Sequence, residues 1–222
     1  MDKAPVCVIL AGPNAQGIEI YGPSLLPEGV KLIGPQKFLG SPEGTASKPQ
    51  TPLLNGWNHE QERQDKLYNN QSFAYETHYS DRATNQLILN DCQARGYEVN
   101  LYYFGVKSLT EAYATADNVR NLRGFPLLYH HNIERGYREG MRELERDLPR
   151  LDRVFFCDAS GRELKFLAIL DKAKGLRLQS IQQEKWYTQH FEGAVNTHYP
   201  HKQLSDYIDL KSDISFSIKL KM

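Results

Sequence analysis

The chain has little of what a redox, membrane or nucleic-acid protein usually carries. Only three of its 222 residues are cysteine, and Cys7, Cys92 and Cys157 form no CxxC pair. This spacing predicts small buried side chains, not a disulfide framework. The 27 basic residues are balanced by 27 acidic ones. We therefore expect no general attraction to nucleic acid or to an anionic membrane.

The sequence also lacks a long apolar run. The longest early one, residues 6–11, is far too short to cross a bilayer, and no charged-then-apolar leader precedes it. These absences predict a soluble protein of the reducing cytoplasm, without a membrane partner.

Metal and hydrolase motifs are missing as well. His130 and His131 are adjacent, so their side chains point to different sides, and His190, His198 and His201 have no HExxH spacing or carboxylate partner. No GxSxG elbow is present. We expect no metal site.

What the chain does have is a strand followed by an unusual segment. Residues 6–10 form a β-branched apolar run, typical of a strand buried on both faces. Residues 12–56 hold eight glycines and seven of the eleven prolines, with never more than four other residues between two of them. This punctuation argues against a normal helix. The favoured interpretation of residues 14–17 is a hairpin turn, with 18–21 returning as a strand.

After this segment, helices and strands alternate. The capping box of Ser108 and Glu111 marks one helix start, and Ser80 and Gly96 bound another helix. Predicted helices cover residues 59–69, 80–96, 108–120, 131–148 and 181–191, and predicted strands cover 72–75, 97–104, 154–157 and 164–170. The alternation indicates a three-layer α/β fold with a mainly parallel sheet.

The C-terminal segment has a different period. Apolar residues recur at every second position with polar residues between them, which is typical of a half-buried strand or hairpin. These positions are Ile208, Leu210, Ile214, Phe216, Ile218 and Leu220. We interpret residues 1–222 as one domain in which 12–56 is a remodelled segment and 206–221 is an added β segment.

An ordered set of short motifs carries a resemblance to a known family. The set comprises A-G-P-N-A-Q-G at 11–17, S-F-A-Y-E-T at 72–77, A-R-G-Y at 94–97, E-V-N-L-Y at 98–102 and D-A-S-G at 158–161. Together they resemble the zeta-toxin family of P-loop kinases, which phosphorylate a UDP-activated amino sugar with ATP. The resemblance implies a P-loop-kinase-like fold and a toxin–antitoxin setting.

The first motif departs from the family pattern A-G-P-N-G-A-G-K-S/T. The resemblance implies that Gly12, Asn14 and Gly17 belong to the phosphate-binding loop, but Ile18 and Glu19 stand where the family has lysine and a hydroxyl residue. The lysine bridges phosphates and the hydroxyl holds Mg²⁺. The loop is therefore interpreted as a degenerate Walker A motif. A second register, 17–24, keeps a serine but places proline at the lysine position.

The resemblance implies a substrate site at the end of a later strand. Glu76 and Thr77 match the Glu-Thr pair that faces the sugar nucleotide in the family, and Arg82 follows one helical turn later. Strand ends are where α/β sheets bind ligands. An alternative stays open: Glu76 is a surface acid, Thr77 starts a turn, and Arg82 pairs with a neighbouring acid.

The resemblance also implies a basic lid. Arg120, Arg123 and Arg135 fall at matching spacing and would lie near the phosphates, although surface charges on helices are the simpler interpretation. The family's catalytic aspartate has no counterpart in residues 31–44, where Glu43 is the single acid. The expected general base is missing or displaced.

Three functions follow as hypotheses. The leading one is a non-catalytic or altered zeta-toxin relative, a pseudoenzyme that binds a nucleotide-sugar-like ligand or a protein. The alternative is an active kinase using ATP and Mg²⁺, with an arginine, Lys31 or Lys37 replacing the P-loop lysine. The third is an interaction protein that accepts a strand at a sheet edge, motivated by residues 208–220.

Overall fold

The computed structural model describes residues 4–33, 52–123, 130–161, 163–180 and 183–199. The strands are β1 Val6–Ala11, β2 Leu32–Ile33, β3 Phe73–Thr77, β4 Glu98–Gly105, β5 Arg153–Asp158, β6 Lys165–Asp171 and β7 Gly175–Gln179. The helices are α1 Ala15–Tyr21, α2 Pro52–Tyr68, α3 Arg82–Ala94, α4 Leu109–Arg123, α5 His130–Asp147, α6 Lys185–His190 and α7 Glu192–His198. Short 3-10 segments, Gly22–Leu25 and Leu148–Arg150, follow α1 and α5.

The described strands form one seven-stranded sheet in the order β2-β3-β1-β4-β5-β6-β7. The first five strands run parallel, and β6 and β7 are antiparallel to their neighbours. The chain crosses to the other side of β1 between β3 and β4. The predicted α/β class with a mainly parallel sheet is confirmed.

Strand alternation sends side chains to two separate cores. Ile9, Tyr75 and Phe156 face the side covered by α2, α3, α5, α6 and α7. Val8 and Leu10 face the opposite side, where α1 and the 3-10 segment after it pack. We call these the α5 side and the α1 side of the sheet.

The predicted hairpin at residues 14–21 is wrong, because the chain forms helix α1 there. Asn14 caps the helix, and Ile18 and Tyr21 are buried against the sheet on one helical face. Their burial outweighs the weak helix propensity of Gly17 and the β-branched residues, so the expectation that no helix fits in 12–56 was wrong as well.

Several other helix and strand boundaries differ from the predicted ones. Asp81, not Ser80, caps α3, since its side chain accepts the N–H of Thr84. The capping box of α4 is confirmed: the Glu111 N–H donates to Ser108 Oγ at 3.2 Å. The helix predicted at 181–191 begins at Lys185, and strand β7 before it went unpredicted. The β segment predicted at 206–221 lies outside the described residues.

All three cysteines are buried and free, as their spacing predicts. In the described part of the chain, no helix combines the length and apolar character needed to span a membrane.

Candidate functional site

The carboxyl ends of β1, β3 and β4 meet at one edge of the sheet, where the strand order reverses. The backbone joins them directly: the Gly12 N–H donates to the carbonyl of Thr77 at 3.3 Å, and the Asn14 N–H donates to the carbonyl of Phe104 at 3.2 Å. In open α/β sheets this switch point is where ligands bind. We call it the switch-point edge.

The loop after β1 is held by hydrogen bonds between its own residues. Asn14 is buried, and its Oδ1 accepts the N–H of Gly17 at 2.8 Å while its backbone carbonyl accepts the N–H of Ile18 at 3.1 Å. The Ala15 N–H donates to the carbonyl of Pro13. A phosphate cradle works by presenting free backbone N–H groups to the anion. In this loop the N–H groups of Gly12, Asn14, Ala15, Gly17 and Ile18 already have protein acceptors.

The position of the family's lysine is occupied by an apolar side chain in the core. Ile18 is 3 % exposed and packs on the α1 side with Leu10 and Leu25. Glu19 takes the place of the hydroxyl residue and is half-buried. These residues do not fit Mg²⁺-bound ATP, because the loop has no lysine for the phosphates and five of its N–H groups already have protein acceptors.

Two glycines hold the loop tightly against the sheet. Gly12 has φ +121°, and a Cβ built there would lie 2.4 Å from the carbonyl oxygen of Phe104. A Cβ at Gly17 would lie 2.7 Å from Cβ of Ala159, at the end of β5. Both glycines are therefore needed for the close packing of this loop on the sheet.

Glu76 is the most perturbed acid of this edge. It alternates with Ala74, which belongs to the α1-side core, so its side chain points to the α1 side. Loss of solvation raises the pKa of its carboxyl group to about 7.

Thr77 starts a strained turn. Its Oγ1 accepts the N–H of Tyr79 at 3.0 Å, and Tyr79 has φ +60°. Tyr79 is fully buried, and its hydroxyl donates to Asp147 at the end of α5. The turn is thereby tied to α5.

His78 is the central residue of this turn, and helix α5 packs closely against it. A Cβ at Gly136 would lie 2.9 Å from Cβ of His78, and a Cβ at Gly140 would lie 2.4 Å from its carbonyl oxygen. Burial lowers the pKa of the imidazole. The sequence reasoning missed His78, although its position directly after the Glu-Thr pair was an available signal.

The arginines predicted for the site lie in different places. Arg82 Nε is 3.9 Å from Glu143 on α5, so it pairs with an acid that is distant from Asp81 in the sequence. Arg135 pairs with Glu139 at 2.7 Å and approaches the carbonyl of Ser80 at 3.5 Å, beside the turn after β3. Arg120 and Arg123 lie in the last turn of α4, with side chains outside the described part.

Two further contacts tie the loop to α4, and no sequence signal indicated them. Thr115 Oγ1 lies 3.4 Å from the carbonyl of Pro13, and Asn118 Nδ2 donates to Gln16 Oε1 at 2.9 Å. Both join residues about a hundred positions apart, so only the folded chain reveals them. As for metals, the described residues contain no group of three or more His, Cys, Asp or Glu placed to hold an ion.

No family model and no curated protein matches the chain. Several solved structures do match the chain. A structure from the PezAT chromosomal toxin–antitoxin system of the human pathogen Streptococcus pneumoniae superposes with a TM-score of 0.55 and 14 % identity, over 95 % of this chain and 85 % of that one. The AvrRxo1-ORF1:AvrRxo1-ORF2 complex, crystallised with ATP, gives a TM-score of 0.61 and 12 % identity, over 84 % of this chain and 63 % of that one.

At these identities the similarity shows the fold. The chain has a P-loop-kinase fold. The resemblance to the zeta-toxin family that the sequence motifs indicate is confirmed at this level, in a divergent form.

Proposed function

We propose that this chain is a non-phosphorylating relative of the zeta-toxin-like kinases, which binds a nucleotide-sugar-like ligand at the switch-point edge beside Glu76. The observation that carries the proposal is the closed first loop. Five of its N–H groups are hydrogen-bonded within the protein, and Ile18 is buried where a kinase needs an exposed lysine. The loop therefore stabilises the fold, and it lacks the lysine that usually binds the phosphates of ATP.

The chemistry of Glu76 suits the sugar part of such a ligand. A carboxyl group with a pKa of about 7 is partly protonated at neutral pH, so it both donates and accepts hydrogen bonds. Sugar hydroxyl and amide groups themselves both donate and accept hydrogen bonds, so such a carboxyl group can pair with either. Partial protonation also reduces its repulsion of a nearby diphosphate.

Calorimetry on the full chain tests the proposal. We expect a UDP-activated amino sugar to bind at pH 6 and more weakly at pH 8, and MgATP to give no binding heat at millimolar concentration. Glu76→Ala should weaken sugar-nucleotide binding about tenfold, which corresponds to one lost hydrogen bond of about 1.4 kcal/mol. Glu145→Gln, an exposed acid on α5, is the control and should change nothing.

An active kinase is the second candidate, and one observation favours it. A carboxyl pKa of about 7 is near the operating pH, which is what a general base requires. Phosphorus NMR of the chain with MgATP and the sugar nucleotide distinguishes the two. Formation of ADP that is lost in Glu76→Gln would support the kinase and defeat our proposal.

A protein partner is the third candidate. Both solved structures described above come from two-protein systems, one named as a toxin–antitoxin system and the other as an ORF1:ORF2 complex. Native mass spectrometry of the tagged full chain from its source cells would show a heteromeric mass. Release of that partner by the sugar nucleotide would show that both occupy the switch-point edge.

A further inference from the structure

Tyr79 follows Glu76 by three positions and has a backbone conformation that disfavours its side chain. Its φ is +60°, in the left-handed region that glycine adopts easily and a bulky aromatic residue adopts rarely. The ring is fully buried in the core on the α5 side of the sheet. A residue stays in such a conformation only where the surrounding contacts hold it, and residues of this kind cluster at ligand sites.

The polar groups of Tyr79 are bonded to three different parts of the fold. Its N–H donates to Thr77 Oγ1 at the end of β3, at 3.0 Å. Its carbonyl accepts Nδ2 of Asn85 on α3 at 3.0 Å, and its hydroxyl donates to Oδ2 of Asp147 at the end of α5 at 3.1 Å. Asn85 and Asp147 are both buried. One strand and two helices therefore hold a single strained residue.

Thr77 connects this residue to the switch-point edge. Its side chain accepts the N–H of Tyr79, and its carbonyl accepts the N–H of Gly12, in the loop after β1, at 3.3 Å. Glu76 precedes Thr77 directly and lies opposite Leu10 in the register of β3 with β1. A shift of the turn would therefore move both the first loop and the acid that the ligand is proposed to contact.

We propose that Tyr79 is a positioning residue of the ligand site: through its hydrogen bonds to α3 and α5 it holds Glu76 and the loop after β1 in the arrangement that binds the ligand. This inference rests on the proposed function. Tyr79 acts through its neighbours, because its own ring lies inside the core. Burial raises the pKa of its hydroxyl, so this group keeps its proton and remains a donor while Glu76 titrates.

A matched pair of tyrosine variants of the full chain tests the inference. Tyr79→Phe removes the hydroxyl that donates to Asp147, and Tyr199→Phe removes a hydroxyl that donates to the carbonyl of Leu148, just after α5, at 2.7 Å. Both changes delete one buried hydrogen bond in the same core, so both should lower the urea midpoint of unfolding to a similar degree. Calorimetry should show that Tyr79→Phe alone weakens binding of the UDP-activated amino sugar, by about tenfold.

Carbon-13 NMR titration of the Glu76 carboxyl group is a second readout, and it needs no ligand. When the turn loosens, water reaches this group, so its pKa should fall from about 7 toward its ordinary value in Tyr79→Phe and stay near 7 in Tyr199→Phe. If the parent chain does not bind the sugar nucleotide, the proposed function is wrong, and the pKa comparison by itself still tests Tyr79. An equal Glu76 pKa in the parent and Tyr79→Phe, or an equal loss of binding in the two tyrosine variants, overturns the inference.

Two further variants keep the test decisive if Tyr79→Phe does not fold. Asn85→Leu removes the donor to the carbonyl of Tyr79 and leaves its hydroxyl bond in place, so it should lower the affinity and the Glu76 pKa as well. Asp147→Asn keeps an oxygen that accepts the hydroxyl and should bind as the parent does. Parent-like behaviour of Asn85→Leu, or a tenfold loss in Asp147→Asn, would show that these bonds do not position the site.

Discussion

The side chain of Asn14 accepts the backbone N–H of Gly17 at 2.8 Å. This one bond begins helix α1 at Ala15, within the segment that a P-loop keeps as an open phosphate cradle. The asparagine thus acts as a helix cap where the kinase motif would receive an anion. The predictions below start from this contact and extend to the residues around it.

Replacing Asn14 by alanine should destabilise the chain. The buried N–H of Gly17 loses its acceptor and α1 loses its cap, so the free energy of unfolding should fall by about 1–2 kcal/mol. Urea unfolding followed by circular dichroism measures the change. Ser24→Ala removes an exposed side chain that donates to the carbonyl of Tyr21, and should cost less than about 0.5 kcal/mol. Equal losses in both variants would contradict the capping role.

Restoring the family's lysine should not restore an ATP site. Ile18 is 3 % exposed while Ile20, on the same helix, is 50 % exposed. Ile18→Lys buries an unpaired ammonium group and should cost several kcal/mol, whereas Ile20→Lys should be close to neutral. Thermal unfolding and MgATP calorimetry on both variants check this. Tight MgATP binding by Ile18→Lys would show that the lysine was the single missing element.

The carboxyl group of Glu76 should make the protein less stable as pH rises. Its pKa is about 7 in the folded chain and near 4.5 when solvated, so the folded state holds more protons between these values. The contribution of this group to stability should be complete at and below pH 4.5 and should fall by about 3 kcal/mol by pH 8. Glu76→Gln should lack this loss.

Urea unfolding of the parent and Glu76→Gln at pH 5, 6, 7 and 8 measures the difference. His78 contributes in the opposite direction, because burial lowers its pKa and protonation of the unfolded chain costs stability below about pH 6.5. The difference between the two proteins cancels that contribution. A constant difference across the pH series would mean that Glu76 is not desolvated.

The contact of α5 with the turn after β3 should depend on Gly140. A Cβ there would lie 2.4 Å from the carbonyl oxygen of His78, so Gly140→Ala should destabilise by about 1–3 kcal/mol. Gly193 in α7 has open space around its Cβ position. Gly193→Ala should be neutral or stabilise by up to about 1 kcal/mol through helix propensity. Differential scanning calorimetry on both variants measures these two changes in stability.

The long periodic elements could be predicted from sequence because their signals are local. The capping box at Ser108, the helical spacing before Gly96 and the apolar run of β1 each depend on neighbouring residues. Strand β7 could not be recognised from five residues of mixed character, G-L-R-L-Q. It forms because the chain turns back after Asp171 and pairs with β6.

Some features of the candidate site also follow from the sequence, and others depend on the folded chain. Motif order was enough to put the Glu-Thr pair at the end of a strand, where β3 does end. The perturbed pKa of Glu76 was beyond sequence reasoning, since it depends on burial among residues from distant parts of the chain. The same holds for the place of Arg82, which pairs with an acid 61 positions later.

The sequence by itself determined the α/β class, the order of the main elements and the isoleucine at position 18, because these follow from local periodicity and residue identity. Tertiary structure decided the conformation of residues 14–21. Local propensity there favoured a hairpin, but burying Ile18 and Tyr21 against the sheet while Phe104 and Asn14 satisfied the loop N–H groups stabilised a helix. Packing against residues distant in the chain overrode local preference, and it closed the loop.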